Sequence, residues 1–376
     1  MKVSLWFFAV ACIGGACGYA RQMPQNRPTA PSAGAGTWVA PPDYDQAGPY
    51  REGRAAVRVG DAVSGRWGYL ERSGRFVITP RFRQAREFAD GRAAVLVDDG
   101  ISAKWGFIDP TGDLVIGAQF DAAESFGEGL ALVRRGPANT GQWHYIDTTG
   151  KSAFNGSFSA GSPFREGLAA VRVGEIGDSK WGFIDSRGTF VIPQQYELVE
   201  SFSEGVAAVQ VRSGSELRWG FVDRTGNFKI AAQFDQAGRF SHGLAPVRFG
   251  DYITGKWGYV NMSGTLVIPP TFAAAEPFAE SLAAVRTGAY GSRSWGFIDL
   301  TGRLVIPAEF WDARKFSEGL APVRFGKYDE SPWGYVTTTG RVSVPSSFLT
   351  AEPFSEQRAL VRVRTESHVG YGYIGR

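Results

Sequence analysis

Apolar residues in this chain fall in short alternating runs rather than at helical spacing, and the same runs return every 38 residues. Each return carries three strand signals. The first is a V-I-P type run, as in Val191-Ile192-Pro193, Val267-Ile268-Pro269 and Val305-Ile306-Pro307. The second is an L-A-A-V-R-V type run, as in Leu168 to Val173, and the third is W-G-F-I-D, as in Trp181 to Asp185. Short runs of β-branched and aromatic residues bounded by Gly, Asp and Ser predict strands. Between the first and second lies a connector of pattern F-x-x-A-x-x-F-x-E-G, as in Phe310, Ala313, Phe316, Glu318 and Gly319.

Tryptophan marks the period. Trp67, Trp105, Trp143, Trp181, Trp219, Trp257, Trp295 and Trp333 stand 38 residues apart, and Tyr371 falls on the next beat. A fixed period of this size is the mark of a repeat array, whose units bury their apolar faces against neighbours. The stretch from Thr37 aligns without a gap on the stretch from Thr265, and the chain closes on Gly370-Tyr371-Gly372-Tyr373-Ile374, so there are nine complete units. A turn after the Trp strand ends on Gly74, Gly112, Gly150, Gly188, Gly226, Gly264, Gly302 and Gly340. Glycine at one turn position in every unit predicts a positive φ and a hairpin between the third strand and the next first strand.

The expected fold is therefore all-β: nine 38-residue, three-stranded units in a curved solenoid or superhelix. The alternative is a closed, propeller-like ring. Complete first and last units favour the open form, because they need no closure. The loop between the second and third strands keeps one length (Gly60 to Arg66, Gly174 to Lys180, Gly250 to Lys256), which predicts that it packs on the next unit.

Large residues recurring once per unit fill the space between units, so the Trp column and the Phe/Tyr columns (Phe82 to Phe348, Phe88 to Phe354) read as structural. The Gly after each Trp predicts a close approach of the adjacent backbone. Arg58, Arg134, Arg172, Arg248, Arg286, Arg324 and Arg362 share one register, and Glu52, Glu128, Glu166, Glu204, Glu280, Glu318 and Glu356 another. Arg–Glu pairs tying strand to connector are expected, a polar ladder for an anionic polymer or partner being the alternative. Asp109, Asp147, Asp185, Asp223 and Asp299 precede the turn glycine and are expected to cap that turn.

Residues 1–20 read as a secretory signal: Lys2, then an apolar stretch Val3 to Ile13 too short to span a bilayer, then Gly18-Tyr19-Ala20. Acylation of Cys17 is the alternative. Cys12 and Cys17 are the only cysteines, so cleavage after Ala20 leaves none for disulfides, thiolate chemistry or metal binding. Residues 21–36 are a Pro/Ala/Gly-rich linker and 37–376 the repeat domain. A net charge of +3 in a chain of 40 basic and 37 acidic residues argues against nucleic acid as partner. His144, His242 and His368 occupy different repeat positions, and no HExxH, GxSxG, Walker or Rossmann pattern is present. No catalytic residue, metal site or cofactor is expected.

With K-W-G-F-I-D, the turn Gly, V-I-P, F-x-x-A-x-x-F-x-E-G and L-A-A-V-R in this order, the chain resembles the bacterial WG (KWG) repeat family over residues 37–374. Departures are Trp143-His144 in place of Trp-Gly, the eroded stretch Lys151 to Ser162, and Tyr371 at the last Trp position. The resemblance implies a β-repeat scaffold and no activity. The expected function is an exported binding scaffold, in the periplasm, at the cell surface or secreted. A protein partner is its expected ligand. Cell-wall glycan bound on exposed aromatics is the second reading, and a hydrolase using scattered carboxylates the third.

Overall fold

A computed structural model describes residues 36–376, apart from 99, 101, 175–178, 289–293 and 327–329. The expected signal and most of the linker lie outside the described residues. Those described form strands, turns and bends with no helix, and none therefore long and apolar enough to cross a membrane. They make nine antiparallel sheets, eight of four strands and one of three.

The sheet boundaries are displaced from the sequence units by one strand. In the first sheet a two-residue strand, Gln46–Ala47, pairs with Arg54–Val59, which pairs with Arg66–Glu71, which pairs with Phe76–Phe82. The last of these is the V-I-P type run of the following unit. It is recruited by the turn at Gly74, whose φ is 80° and whose N–H donates to the Glu71 carbonyl at 2.9 Å. The turn is too tight for the strand that follows it to do anything but fold back on the Trp strand.

This displacement overturns the open solenoid. If every unit lends its first strand to the sheet before it, the first unit's strand is an orphan and the last sheet lacks one. The two pair with each other: Trp38–Tyr44 lies antiparallel to the C-terminal strand Val369–Gly375, with Trp38 opposite Ile374, Ala40 opposite Tyr373 and Tyr44 opposite Tyr371. The same register joins Phe76 to Leu70, Ile78 to Tyr69 and Phe82 to Trp67 in the first sheet. Nine sheets thus close into a ring, the architecture of a nine-bladed propeller, and neither terminal strand is left without a partner.

The core lies between consecutive sheets. One cluster joins Val206, Ala208, Trp219, Phe221, Ile230 and Phe234 of one sheet to Ala245, Val247 and Val260 of the next. The joint across the termini is built the same way, with Ala40, Tyr44 and Tyr373 packed against Tyr50, Ala55, Val57 and Leu70. Fully burying a Phe or Val side chain stabilises by about 1.5–3 kcal/mol, so each joint is a substantial core of its own.

Two glycine columns permit this packing. A Cβ on Gly68, Gly182, Gly220 or Gly258 would lie 2.4–2.7 Å from a backbone carbonyl oxygen of the neighbouring strand, the close approach expected there. A Cβ on Gly150, Gly226 or Gly302 would strike the Ile of the preceding sheet at 2.8–2.9 Å. Where His144 replaces the first type of glycine, the outer V-I-P type strand is missing: the third sheet has three strands, and residues 154–157 make no bridge to the Trp143 strand. The Trp143–Phe158 and Ile146–Ser152 bridges and the Ala153 N–H to Tyr145 carbonyl bond at 2.9 Å survive, and a ring nitrogen of His144 sits 3.0 Å from the Gly156 carbonyl. Phe154 swings into the joint to fill the place that isoleucine takes elsewhere.

Most of the loop Gly174 to Lys180 lies outside the described residues. The tips of the loops Gly60 to Arg66 and Gly250 to Lys256 do not pack on the next unit, although Lys256 at the end of the latter donates to the Gly288 carbonyl there at 3.2 Å. Residues 61–64 and 251–254 are exposed. Each is closed by its own aspartate: Asp61 accepts the N–H groups of Val63 and Ser64, and Asp251 those of Ile253 and Thr254. Their length is set within the hairpin.

Candidate functional site

The connector contains the two-residue strand that opens each sheet and the innermost surface of the ring. Equivalent points of successive connectors lie within one hydrogen bond of each other. The hydroxyls of Ser203, Ser241, Ser317 and Ser355 donate to the carbonyls of Phe240, Phe278, Phe354 and Tyr50, at 2.7–2.8 Å. Such spacing is met only where the circumference of a ring is smallest, so the connectors surround the axis. The V-I-P type strands form the outer edge, with Leu114, Val115, Phe190, Val191 and Phe228 exposed.

Each connector ends in a tight turn carrying two successive residues at positive φ, Glu204 (54°) and Gly205 (80°) being one pair. The glutamates of this column do not pair with the arginine column. Each carboxylate reaches the next turn's backbone: Glu52 accepts the N–H of Gly91 at 2.9 Å, Glu128 that of Gly167 at 2.8 Å, and Glu280 that of Gly319 at 2.8 Å. Glu166 and Glu204 each hold two, on Glu204 and Gly205 and on His242 and Gly243. Glu356 completes the circuit on Gly53. Successive positive-φ residues point their N–H groups together and make a concave anion receptor, which the neighbouring carboxylate fills.

The arginine column serves the tryptophans. Arg134, Arg172, Arg248 and Arg324 lie directly across the strand pair from Trp143, Trp181, Trp257 and Trp333. Their guanidinium carbons stand 5.3–6.0 Å from the ring centroids. Arg362 covers Tyr371 at 5.4 Å in the same way. The expected Arg–Glu pairs are therefore absent for a geometric reason: the arginines sit at the loop end of the second strand and the glutamates at its turn end. Trp105, Trp219 and Trp333 are buried, while Trp67, Trp143, Trp181, Trp257 and Trp295 are half-buried. The residue two places on is more deeply set, Tyr69, Phe107, Phe221 and Tyr259 being fully buried. Where it is Tyr, its hydroxyl donates to a connector carbonyl, as Tyr69 does to Arg86 at 2.8 Å, and burial raises its pKa far above the ordinary phenol value.

The turn aspartates act as caps. Asp109 accepts the N–H groups of Thr111, Gly112 and Asp113 at 2.9–3.1 Å. The Thr111 hydroxyl and these amides hold its pKa below the usual carboxylate value, and Asp147, Asp223 and Asp299 are lowered by the same kind of contacts. Among the described residues, no group of three His, Cys, Asp or Glu side chains is close enough to hold a metal ion.

Two depressions open at the axis. One of about 740 Å³ is lined by Arg51, Glu87, Ser125, Arg165, Glu166 and Arg239, with Phe88, Phe126 and Phe164 beneath. The other, about 560 Å³, is lined by Arg239, His242, Glu276, Arg314 and Lys315 with Phe240 and Phe278. Ion pairs bridge neighbouring sheets at these depressions, Arg51–Glu87 and Arg314–Glu352, and Arg86–Glu124 does the same beside the loop-side groove. On the loop side a groove of about 510 Å³ holds Arg58, Trp67, Arg83, Arg86 and Trp105. Of the axial surface the sequence singled out the Glu column, the Phe88-to-Phe354 column and His242, but none of its other charged residues. Its signal was the variability of the connector's x positions, which carry different charges from unit to unit.

The family model of the WG-containing repeat matches residues 35–61, 67–100, 105–136, 143–175, 181–213, 219–252, 257–289, 295–328 and 333–364. The chain belongs to the WG-repeat family. No curated protein matches it. Among solved structures, a eukaryotic initiation factor is similar with a TM-score of 0.54 at 12% identity, over 81% of this chain and 87% of that one. At that identity the likeness speaks for fold alone. A structure from an analysis of two prolyl endopeptidases (TM-score 0.42, 10% identity, 76% of this chain and 52% of that one) is more distant. So is the β-propeller domain of the trilobed protease from Pyrococcus furiosus (0.37, 9%, 70% and 99%).

Proposed function

We propose that this WG-repeat chain is an exported, non-catalytic scaffold that binds a protein partner on the axial face of its ring. The observation that carries this reading is where the units differ. Joint-forming positions keep one chemical type around the ring, as in Phe82, Phe120, Tyr196, Phe234, Phe272, Phe310 and Phe348. The position just after the short strand carries Gly48, Arg86, Glu124, Ser162, Glu200, Gly238, Glu276, Arg314 and Glu352. Packing holds the first set constant, while the second varies in charge and size and lines both the axial depression, through Glu276 and Arg314, and the loop-side groove, through Arg86. A contiguous surface of mixed charge over buried phenylalanines suits a protein partner better than a repeating polymer, which would call for one chemistry per unit.

Glycan binding has one specific surface in its favour, the groove with Trp67 and Trp105 beside three arginines. Photo-crosslinking separates the two readings. A crosslinking residue at Ser125 or Ser201, on the axial face, should capture a discrete protein from the envelope fraction, and one at Val115, on the outer edge, should not. Crosslinks from Val115 alone would overturn the axial assignment, and binding to a polysaccharide array that is lost in W67A would favour glycan. Export is tested by N-terminal sequencing of the extracytoplasmic product, which should begin near Arg21; a cytosolic pool retaining Met1 would refute it.

A further inference from the structure

The circuit of carboxylates has one interruption. Eight turns receive a carboxylate from the turn before them. The ninth turn, Glu280–Ser281, follows His242, which has no carboxylate to offer. Its backbone has the same geometry, with φ of 51° at Glu280 and 66° at Ser281. Neither N–H has a hydrogen-bond partner among the described residues. Both residues are exposed, so these N–H groups are open to an incoming ligand, and a site of this shape prefers an anion over water.

The surroundings fit the same ligand. The 560 Å³ depression runs alongside, lined by His242 and by Ala279, the residue preceding this turn. Arg239 and Lys315 line it as exposed cations with no ion pair or hydrogen bond among the described residues, whereas Arg314 is taken up by Glu352. The one unpaired acid there is Glu276, so cations outnumber it. Arg239, Ser281 and Lys315 belong to three consecutive sheets, a spread that one small carboxylate cannot cover. We propose that the Glu280–Ser281 turn, next to the depression that Arg239 and Lys315 line, binds a carboxylate carried by an acidic peptide. The ligand then takes the place that a neighbouring glutamate takes at seven of the other turns and Asp90 takes at the eighth. This deepens the reading above by naming the ligand chemistry of part of the axial face, and its test does not depend on finding the partner.

The test is titration of the full-length mature protein with hexaglutamate and, separately, sodium acetate at constant ionic strength, followed through backbone amide resonances. The Glu280 and Ser281 signals should shift saturably with hexaglutamate, and the same signals with acetate at least about tenfold more weakly. H242E restores the missing carboxylate and should abolish both shifts, while H242Q, without one, should keep them. R239A combined with K315A should weaken hexaglutamate binding and leave acetate unchanged. Unmoved Ser281 signals in the wild type would overturn the site. Loss of binding in H242Q as complete as in H242E would also overturn it, by making the imidazole the receptor. Equal affinity for acetate and hexaglutamate would overturn the peptide as the source of the carboxylate. Crosslinking from Ser125 is unaffected by any of these outcomes, so failure here and failure of the scaffold reading are distinguishable.

Discussion

The Glu356 carboxylate accepts the backbone N–H of Gly53 at 2.9 Å, joining two turns 303 residues apart in the chain. Arg72 grips the same carboxylate oxygen with its guanidinium at 2.9 Å. The contact repeats, at the junction of the termini, the link that Glu52 makes to Gly91 one unit on. The joint that closes the ring is therefore equivalent to the internal ones, and disturbing it should cost what disturbing any other would.

Tyr44→Ala tests this. Tyr44 is buried and faces Tyr371 across the closing pair, so its loss should destabilise by about 3–5 kcal/mol, as for a large aromatic in a core. Deleting residues 37–44 should go further and expose the Val369–Gly375 edge to self-association. Urea denaturation and light scattering read the two effects. An unchanged midpoint and a monodisperse deletion variant would mean that closure contributes nothing.

Glu204→Ala removes two hydrogen bonds to the turn at His242 and Gly243. The contact is exposed, so about 1 kcal/mol is expected, and Glu204→Gln should recover part of it by keeping the acceptor. Equal losses in both variants would mean that charge rather than hydrogen bonding matters there.

Gly205→Ala and Gly220→Ala separate two reasons for glycine. At Gly205, φ is 80° and nothing lies within 4 Å of an added Cβ, so only backbone strain of about 1–2 kcal/mol is expected. At Gly220 the added Cβ would meet the Ile230 oxygen and the Ala232 nitrogen at 2.7 Å. The neighbouring strand must then move, as it does beside His144, and the cost should reach the upper part of the roughly 1–3 kcal/mol range for overpacking. A smaller loss at Gly220 than at Gly205 would contradict the close-approach argument.

Acid should unfold the ring through its turns and loops. Ser64 holds the Asp61 carboxyl down to about 2, and Thr254 does the same for Asp251, while Thr111 lowers Asp109. A depressed folded-state pKa stabilises above the unfolded value, about 3.9, and that stability is lost as pH falls through the folded value. Denaturation midpoints should therefore be flat near neutrality and fall between about pH 4 and 2. Asp109→Asn, which cannot titrate, should make that fall shallower. A midpoint independent of pH across that window would remove the caps from the account.

Local features were legible in the residues themselves. The turn glycines, the aspartate caps and the glycine beside each tryptophan depend on contacts within one hairpin, and a hairpin's geometry is written in a few adjacent positions. The irregular third sheet was foreshadowed by His144 and the eroded stretch after Lys151, because a side chain at that point and a paired fourth strand exclude each other. Three other features required the tertiary structure. The short strand has only two residues, such as Gln46–Ala47, too few for a periodic signal of its own. The glutamate column found backbone amides rather than arginines, and no side-chain pattern can announce a backbone partner. Closure is decided by the small rotation from each sheet to the next, summed over nine joints. A period of 38 is compatible with an open superhelix or a ring, and only the packed volumes of the joints bring Trp38 to Ile374.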